Sequence, residues 1–403
     1  MTDRALSDLK VLEFGNLVSA PYCGKLMADM GAEVIKIEAP GVGDEARSRG
    51  PFAQDIPGLE RSGLFAYLNT NKLSITLNPG TVLGKTLFKE LVKGADILVE
   101  NQPPSLMEEL RITYEILEKI NPRLIMTSIT PFGQTGPHRD YKAYELNTYN
   151  GCGYGYVSTA CITEPVMPPV KAGGRQSEFG AALSASVATM CAVYARDYIG
   201  AGQHIDISIQ EIMAGQYESV IEHWTLAENE MGGLTHPIIQ PITPLECKDG
   251  YIFLMCVEDD QFDRMVEIMG NPEWAENELF QDRFSRADYA DALVPLLTEW
   301  TMQYTKDEIF KMCQAARVPV GPDYSSEEVV GSEHLNERNY FMEMDHPEMG
   351  RAKYPGAPYR LSVTPWQIER HAPSLGEHNE EIFCNRLGYS KEDLVRMRQA
   401  GVI

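Results

Sequence analysis

Short apolar strand patterns alternate with helix patterns through the first third of the chain, and this alternation limits the possible folds most strongly. The strand patterns lie at Lys10–Phe14, Glu33–Ile37, Ile75–Leu77, Ala95–Val99 and Leu124–Ile129, and the intervening helix patterns include Pro21–Met30 and Gly84–Lys93. Strands that are separated by helices usually pair in parallel, with helices covering both faces of the sheet. The pattern therefore predicts a doubly wound α/β sheet that binds ligands at the carboxyl ends of its strands.

The rest of the chain predicts a second α/β region and a return to the first one. Short strands alternate with acidic helices over Cys247–Val320, and four prolines between Met342 and Pro365 suggest an extended linker. A run of small apolar residues over Ala181–Ala195 is typical of a buried helix and is too short to span a membrane. A final helix is expected to begin at Ser390, because Asp393 follows with the spacing of a capping box.

Charge and motif content exclude several classes of function. The 58 acidic and 35 basic residues give a net charge of −23, which disfavours nucleic acid and anionic membranes as partners. The histidines and cysteines show no metal-ligand spacing, and neither a dinucleotide fingerprint nor a phosphate loop is present. Eight dispersed cysteines and a polar N-terminus predict a reduced, cytoplasmic protein.

Several separate strings carry a more specific signal, because they occur in a fixed order along the chain. They are NLVSAPYCGKLMADMGAEVIKIE from Asn16, LNTNKLSI from Leu68, ADILVEN from Ala95, NPRLIMTSITPFGQTGP from Asn121, GAGQHIDIS from Gly200 and LGEH from Leu375. Together they resemble the family III CoA-transferases, also called the CaiB–BaiF family.

The resemblance implies a fold, an assembly and a reaction. The expected fold is a Rossmann-like large domain built from both chain ends, with a small α/β middle domain, and two chains would interlock in a dimer. The expected boundaries are 1–225 for the first part of the large domain, 226–330 for the small domain and 331–403 for the return linker and the rest of the large domain. The implied reaction moves CoA from an acyl-CoA such as succinyl-CoA to a free carboxylic acid, through anhydride and thioester intermediates on a protein carboxylate. CoA is then a substrate, and no permanently bound cofactor is expected.

The resemblance also assigns site residues. The family nucleophile is an aspartate, and the matching position in the string PPVKAGGRQSEFGAA, which begins at Pro168, holds Glu178. The longer side chain adds roughly 1.5 Å of reach. The residues that match CoA contacts of the family are Asn16, Leu17, Val18, Ser19, Asn101, Lys142 and Tyr144.

Other positions depart from the family pattern and keep alternatives open. Ala39 and Pro40 follow the second strand where a basic residue is usual, which leaves Arg47 and Arg49 as the nearest donors, and Gln102 and Pro103 follow Asn101 where an aromatic and a basic residue are usual. One alternative is a catalytically silent subunit of a heteromeric enzyme, such as a succinyl-CoA:benzylsuccinate CoA-transferase, so that the assembly is either a homodimer or a heterodimer or heterotetramer. The other is an α-methylacyl-CoA racemase, which is disfavoured because Tyr144 and Glu145 stand where a histidine is expected.

Overall fold

The computed structural model describes residues 4–157, 170–216, 218–228 and 239–403. The chain divides into two compact units, each built from separated stretches of sequence. Unit 1 contains residues 1–152, 173–216 and 337–403, and unit 2 contains residues 153–172 and 217–336.

The described strands and helices are numbered in chain order. The strands are β1 (Lys10–Phe14), β2 (Glu33–Glu38), β3 (Leu73–Thr76), β4 (Ile97–Glu100), β5 (Ile125–Thr130), β6 (His204–Ser208), β7 (Ile242–Cys247), β8 (Gly250–Met255), β9 (Val320–Pro322), β10 (Phe341–His346) and β11 (Gly350–Pro355). The helices are α1 (Ser19–Asp29), α2 (Gly63–Leu68), α3 (Val82–Lys93), α4 (Pro104–Leu110), α5 (Tyr114–Leu117), α6 (Glu145–Gly151), α7 (Tyr154–Val157), α8 (Gln176–Ile199), α9 (Ile209–Gly215), α10 (Glu218–Ala227), α11 (Asp259–Ile268), α12 (Arg283–Asp288), α13 (Ala290–Thr301), α14 (Lys306–Ala316), α15 (Ser326–Gly331), α16 (Glu333–Glu337) and α17 (Lys391–Gln399).

Unit 1 is centred on a six-stranded sheet in the order β3-β2-β1-β4-β5-β6. Every pairing in this sheet is parallel, which confirms the predicted parallel sheet. The strands are apolar because helices cover both faces: Leu12, Leu98 and their neighbours pack in one core, while Val11 and Val99 pack in the other. The order changes direction between β1 and β4, and their carboxyl ends lie side by side.

The C-terminal part of the chain covers the edge strand β3. Ser74 donates its N–H to His378 Nδ1 (3.1 Å) and accepts a hydrogen bond from the His378 N–H (2.9 Å). Asn379 Oδ1 accepts the Thr76 N–H at 2.9 Å, and Gly376 N donates to Ser74 Oγ at 3.0 Å. The LGEH string and the following Asn379 therefore satisfy backbone groups that an open edge would leave exposed to pairing with another chain.

Helix α8 is longer and less buried than the sequence predicts. Of the described helices, only α8 has the length and apolar composition to cross a membrane, and 28% of its most apolar window is buried inside the protein. Its buried positions are mainly small residues such as Ala181 and Ala185, which pack against the sheet, whereas Leu183, Val187 and Tyr194 are exposed. The prediction of a buried helix is wrong, because mean hydropathy does not show that the larger side chains occupy the outer face.

The segment expected to be an extended linker contains a hairpin. Strands β10 and β11 pair in antiparallel fashion, with Met342 opposite Tyr354. The turn reaches β11 through Gly350, whose φ of 75° favours glycine. Tyr354 is buried against Ala46 and Phe65, so this part of the return segment is folded into unit 1.

Unit 2 contains an antiparallel sheet in the order β7-β8-β9. Alternate residues of its strands, including Leu245, Ile252 and Leu254, are buried. They form one core with the apolar faces of helices α11, α13 and α14, to which Phe262, Leu297 and Ile309 belong.

Candidate active site

The carboxyl ends of β1 and β4 bring three of the predicted site residues into direct contact. The Asn101 side chain accepts a hydrogen bond from Asn16 N (2.9 Å) and donates to Asn16 O (2.8 Å) and to Ser19 Oγ (2.9 Å). All of these bonds join the residue after β4 to the loop after β1. Asn101 thus holds the loop in place, and a contact of Asn101 with CoA itself stays a prediction.

The loop from Gly15 to Ser19 is tightly packed and has an unusual backbone. A Cβ on Gly15 would lie 2.4 Å from the Ala20 Cβ and 3.0 Å from Asn101 Oδ1, so only glycine fits there. Leu17 has a φ of 61°, in the left-handed region that costs a non-glycine residue roughly 1–2 kcal/mol. Such strain persists only where the surrounding contacts define the conformation.

This loop leads directly into α1. Val18 and Ser19 are buried, and no side chain caps the first turn of α1. The first N–H groups of a helix have no partner within the helix, and the positive end of the helix dipole lies there. Ser19, Ala20 and Pro21 are buried, however, and Pro21 has no N–H, so a contact of Val18 or Ser19 with CoA stays a prediction.

Glu100 lies at the end of β4, directly before Asn101. Its side chain is buried, and one carboxylate oxygen accepts the Gln102 N–H at 2.7 Å. Burial raises the pKa of Glu100 to about 7, despite a hydrogen bond from Ser128 that favours the charged form. A protonated carboxyl next to the Asn101 contacts is therefore expected below neutral pH.

The first turn of α8 carries Glu178 and is anchored by a buried carboxylate. Glu145, the first residue of α6, accepts hydrogen bonds from Ser177 N (3.1 Å), Glu178 N (3.3 Å) and Ser177 Oγ. A carboxylate at a helix N-terminus satisfies otherwise unpaired N–H groups and interacts well with the helix dipole. The sequence interpretation missed this role, although Glu145 lies in the same YKAYE string as Lys142 and Tyr144.

Glu178 itself is partly buried and paired with a cation. Its side chain is 15% exposed, and one carboxylate oxygen lies 2.9 Å from Arg175 Nη1. The neighbouring Phe179 ring packs edge-on against Tyr22 of α1, with 4.7 Å between ring centroids. The turn that carries Glu178 is therefore packed against the helix that follows the Gly15–Ser19 loop.

Lys142 and Tyr144 lie on the surface just before Glu145. Tyr144 precedes the first turn of α6 and donates its N–H to Asn147 Oδ1 at 2.9 Å. Both side chains are exposed, which leaves them accessible to a ligand. The contact between Glu145 and Ser177 connects this surface to the turn of Glu178.

Arg47 does not have the role that the sequence suggests for it. Its guanidinium is fully buried, with Nε 2.7 Å from Glu38 Oε2 and Nη1 2.6 Å from Glu60 Oε2. The guanidinium also stacks on Phe65, 3.6 Å from the ring centroid. The expectation that Arg47 is a donor for CoA phosphates is wrong, because its hydrogen bonds go to these carboxylates; Arg49, by contrast, is exposed.

Comparison with known proteins assigns the chain to a family. Residues 6–379 match the sequence model of CoA-transferase family III. The chain is 34% identical to the succinyl-CoA–D-citramalate CoA-transferase of Chloroflexus aurantiacus, over 99% of this chain and 98% of that protein. It is 31% identical to the formyl-CoA:oxalate CoA-transferase of Streptomyces coelicolor, over the full length of both. A crystal structure of a CaiB/BaiF family protein from Brucella suis superposes with a TM-score of 0.84 at 29% identity, covering 95% of this chain and 99% of that chain.

In the described part of the chain, no group of three or more His, Cys, Asp or Glu side chains is placed to hold a metal ion. Because the family model covers residues 6–379 and the relatives match over nearly the whole chain, this chain belongs to CoA-transferase family III.

Proposed function

We propose that this chain transfers CoA from an acyl-CoA such as succinyl-CoA to a small free carboxylic acid, with Glu178 as the nucleophile. A Glu178 oxygen attacks the thioester carbonyl and the C–S bond breaks. The CoA thiolate is released, and an anhydride joins Glu178 to the acyl group. The thiolate then attacks the Glu178 carbonyl, releasing the donor acid and forming a thioester between Glu178 and CoA. The acceptor carboxylate reverses these two steps and leaves as its CoA thioester.

The placement of the Glu178 carboxylate is the observation that supports this proposal. The side chain is partly shielded from water, yet it is not fully enclosed. The backbone of its turn is fixed by Glu145, which limits the positions that the carboxylate can reach. Covalent catalysis needs such a positioned group, because a displacement of about 1 Å can lower the rate ~10²-fold.

The donors available to CoA support the same proposal. The exposed cations Arg49 and Lys142 suit the negative charge of CoA. These local groups act against a net charge of −23, so we expect binding to weaken in a protein-wide field that repels anions.

The relatives support small acids as substrates. One relative is named for succinyl-CoA and D-citramalate, and the other for formyl-CoA and oxalate. A small dicarboxylic acid is therefore the proposed acceptor class for this chain. A panel of such acids, each supplied with succinyl-CoA, would identify the acceptor through the CoA thioester formed.

A mass measurement tests the role of Glu178. The protein is incubated with succinyl-CoA without an acceptor, digested, and searched for a CoA adduct on the peptide that contains Glu178. We expect the adduct in the wild type and its loss in Glu178→Gln. Transfer by Glu178→Gln at the wild-type rate would disprove the assignment.

One set of observations favours a silent partner subunit as a second candidate. The ion pair with Arg175 ties up one oxygen of Glu178, Arg47 is engaged with buried carboxylates, and Pro103 offers no charge after Asn101. In that case a related chain would supply the active carboxylate, as a benzylsuccinate-type heteromer would require. Purification from the source organism would then yield two chains of similar size, and Glu178→Gln in that complex would leave transfer unchanged.

We also propose the interlocked dimer, with the large domain formed by both chain ends, and a cytoplasmic location. The three separated stretches of unit 1 support the split large domain. The described cysteines are all free thiols, which supports a reducing compartment. Light scattering after size-exclusion chromatography tests the dimer, since a mass of one chain would refute it.

A further inference from the structure

Four buried charged side chains form a row of ion pairs next to the Gly15–Ser19 loop. Lys36 Nζ lies 2.8 Å from Glu13 Oε1 and 2.6 Å from Asp44 Oδ2, and Lys72 Nζ lies 2.7 Å from Glu13 Oε2. Each of the four side chains is 0% exposed. Two ammonium groups thus face two carboxylates, which balances the charge in a region without water contact.

Two members of the network bind the loop directly. Lys36 Nζ donates to the Gly15 carbonyl at 3.1 Å, and Asp44 Oδ1 accepts the Leu17 N–H at 2.9 Å. Asp44 Oδ1 also accepts the Ala46 N–H at 2.7 Å, where it caps a short helical turn over Glu45–Ser48. Lys36 and Asp44 therefore hold the loop backbone at Gly15 and at Leu17, the residue with left-handed backbone geometry.

The other half of the network binds the helix after the loop. Lys72 Nζ donates to the Pro21 carbonyl at 2.7 Å and to Asn69 Oδ1 at 2.8 Å. Burial lowers the pKa of Lys72 to about 8, so the ammonium form still prevails at neutral pH. Although burial opposes it, the charges of Asp44 and Glu13 raise the pKa of Lys36.

The network fixes the geometry of the loop more than it stabilises the fold. Removing charges from water costs about as much as their attraction returns, so buried ion pairs are weak stabilisers. Lys36 Nζ nevertheless donates to Glu13 and to Gly15 and forms an ion pair with Asp44. These simultaneous contacts fix the positions of the partners of Lys36 and hold a strained loop in one conformation.

We propose that Lys36 and Asp44 are positioning residues that pre-form the Gly15–Ser19 loop and the start of α1 for CoA. This inference rests on the proposed function, because it assigns the loop to CoA binding. A pre-formed loop lowers the entropy lost on binding, so the network acts on affinity for the CoA moiety and leaves the reacting carboxylate unchanged. The expected signature is a change in KM for the acyl-CoA with little change in kcat.

The test compares Asp44→Ala with Lys25→Met, which removes a different buried ion pair of unit 1. Lys25 pairs with Asp29 at 2.7 Å and with Thr70 at 2.6 Å, and neither partner belongs to the loop. We expect Asp44→Ala to raise both KM for succinyl-CoA and the Kd of CoA by about tenfold, as expected for a lost hydrogen bond to a charged group. Hydrogen exchange of the peptide that spans Gly15–Ser19 should accelerate in Asp44→Ala and stay unchanged in Lys25→Met.

Asp44→Ser provides a variant that keeps the helix cap. Serine can still accept the Ala46 N–H, but its shorter side chain does not reach Lys36. We expect a loss of affinity with the fold preserved, smaller than in Asp44→Ala because the oxygen that accepts the Ala46 N–H also accepts the Leu17 N–H. A folded Asp44→Ser or Asp44→Ala variant with wild-type CoA affinity would overturn the inference, and so would an equal loss of affinity in Lys25→Met. Absence of CoA and succinyl-CoA binding by the wild type in calorimetry would instead refute the proposed function together with this inference.

Discussion

The hydrogen bonds of Asn101 allow a matched comparison between stability and ligand binding. Asn101→Ala removes three hydrogen bonds, all to Asn16 and Ser19. Asn121→Ala also removes three, from Asn121 Nδ2 to Val92 O (3.0 Å) and Ala95 O (2.7 Å) and from Arg123 N to Asn121 Oδ1 (3.1 Å). Both asparagines are half-buried and belong to unit 1.

Equal numbers of lost bonds predict similar losses of stability in the two variants. At about 1 kcal/mol for each bond, the free energy of unfolding should fall by about 3 kcal/mol in each. Only Asn101→Ala releases the loop before α1, so only this variant should weaken CoA binding, by about tenfold or more. Urea denaturation measures the first quantity, and calorimetric titration with CoA measures the second.

Two outcomes would refute this reasoning. If Asn101→Ala binds CoA as tightly as the wild type while losing stability, the conformation of the loop does not matter for CoA. If Asn121→Ala loses as much affinity as Asn101→Ala, general loosening of unit 1 explains the effect.

Three further variants test single features of the site. The pKa of Glu100 is raised in the folded state, so its contribution to stability is present below about pH 4.5 and is lost as pH rises through about 7. Glu100→Gln should therefore be more stable than the wild type by up to about 3 kcal/mol at pH 8. Urea denaturation at several pH values measures this difference. Gly24→Ala places a methyl group 2.0 Å from Glu13 Oε2, and we expect a loss of roughly 1–3 kcal/mol in the free energy of unfolding; an unchanged value would show that Glu13 moves freely. Glu145→Gln should lower kcat about tenfold or more with a smaller change in KM, because the turn of Glu178 loses a charged anchor; an equal rate in a steady-state transfer assay would contradict this.

The sequence predicted those parts of the molecule that depend on local pattern. The strands of the parallel sheet follow from apolar runs between helices, and the capping box at Ser390 forms as expected, with the Asp393 N–H 3.1 Å from Ser390 Oγ. The proximity of Asn16 and Asn101 is also predictable from the sequence, because the carboxyl ends of neighbouring parallel strands lie together.

Features that depend on distant partners could not be predicted. Lys36 lies in an apolar strand pattern, and nothing local shows that Glu13 and Asp44 neutralise it. An arginine in a loop is expected to be an exposed donor, but tertiary contacts bury Arg47 in an ion pair with Glu38. The exposed face of α8 is not predictable for the same reason. Nothing in the local pattern shows that its small residues pack inside while Leu183 and Val187 are exposed.

Unit 1 is built from separated stretches of sequence, and this affects its folding during synthesis on the ribosome. Strand β3 emerges early, but its covering residues His378 and Asn379 are translated about three hundred residues later. Most of unit 2, residues 217–336, is continuous in sequence and emerges before those partners. During translation, the edge of the large sheet therefore stays open while unit 2 can already fold, and chaperone demand should be greatest in that interval. Profiling of ribosomes that carry a chaperone on the nascent chain would show chaperone occupancy ending only after residue 379 has left the exit tunnel.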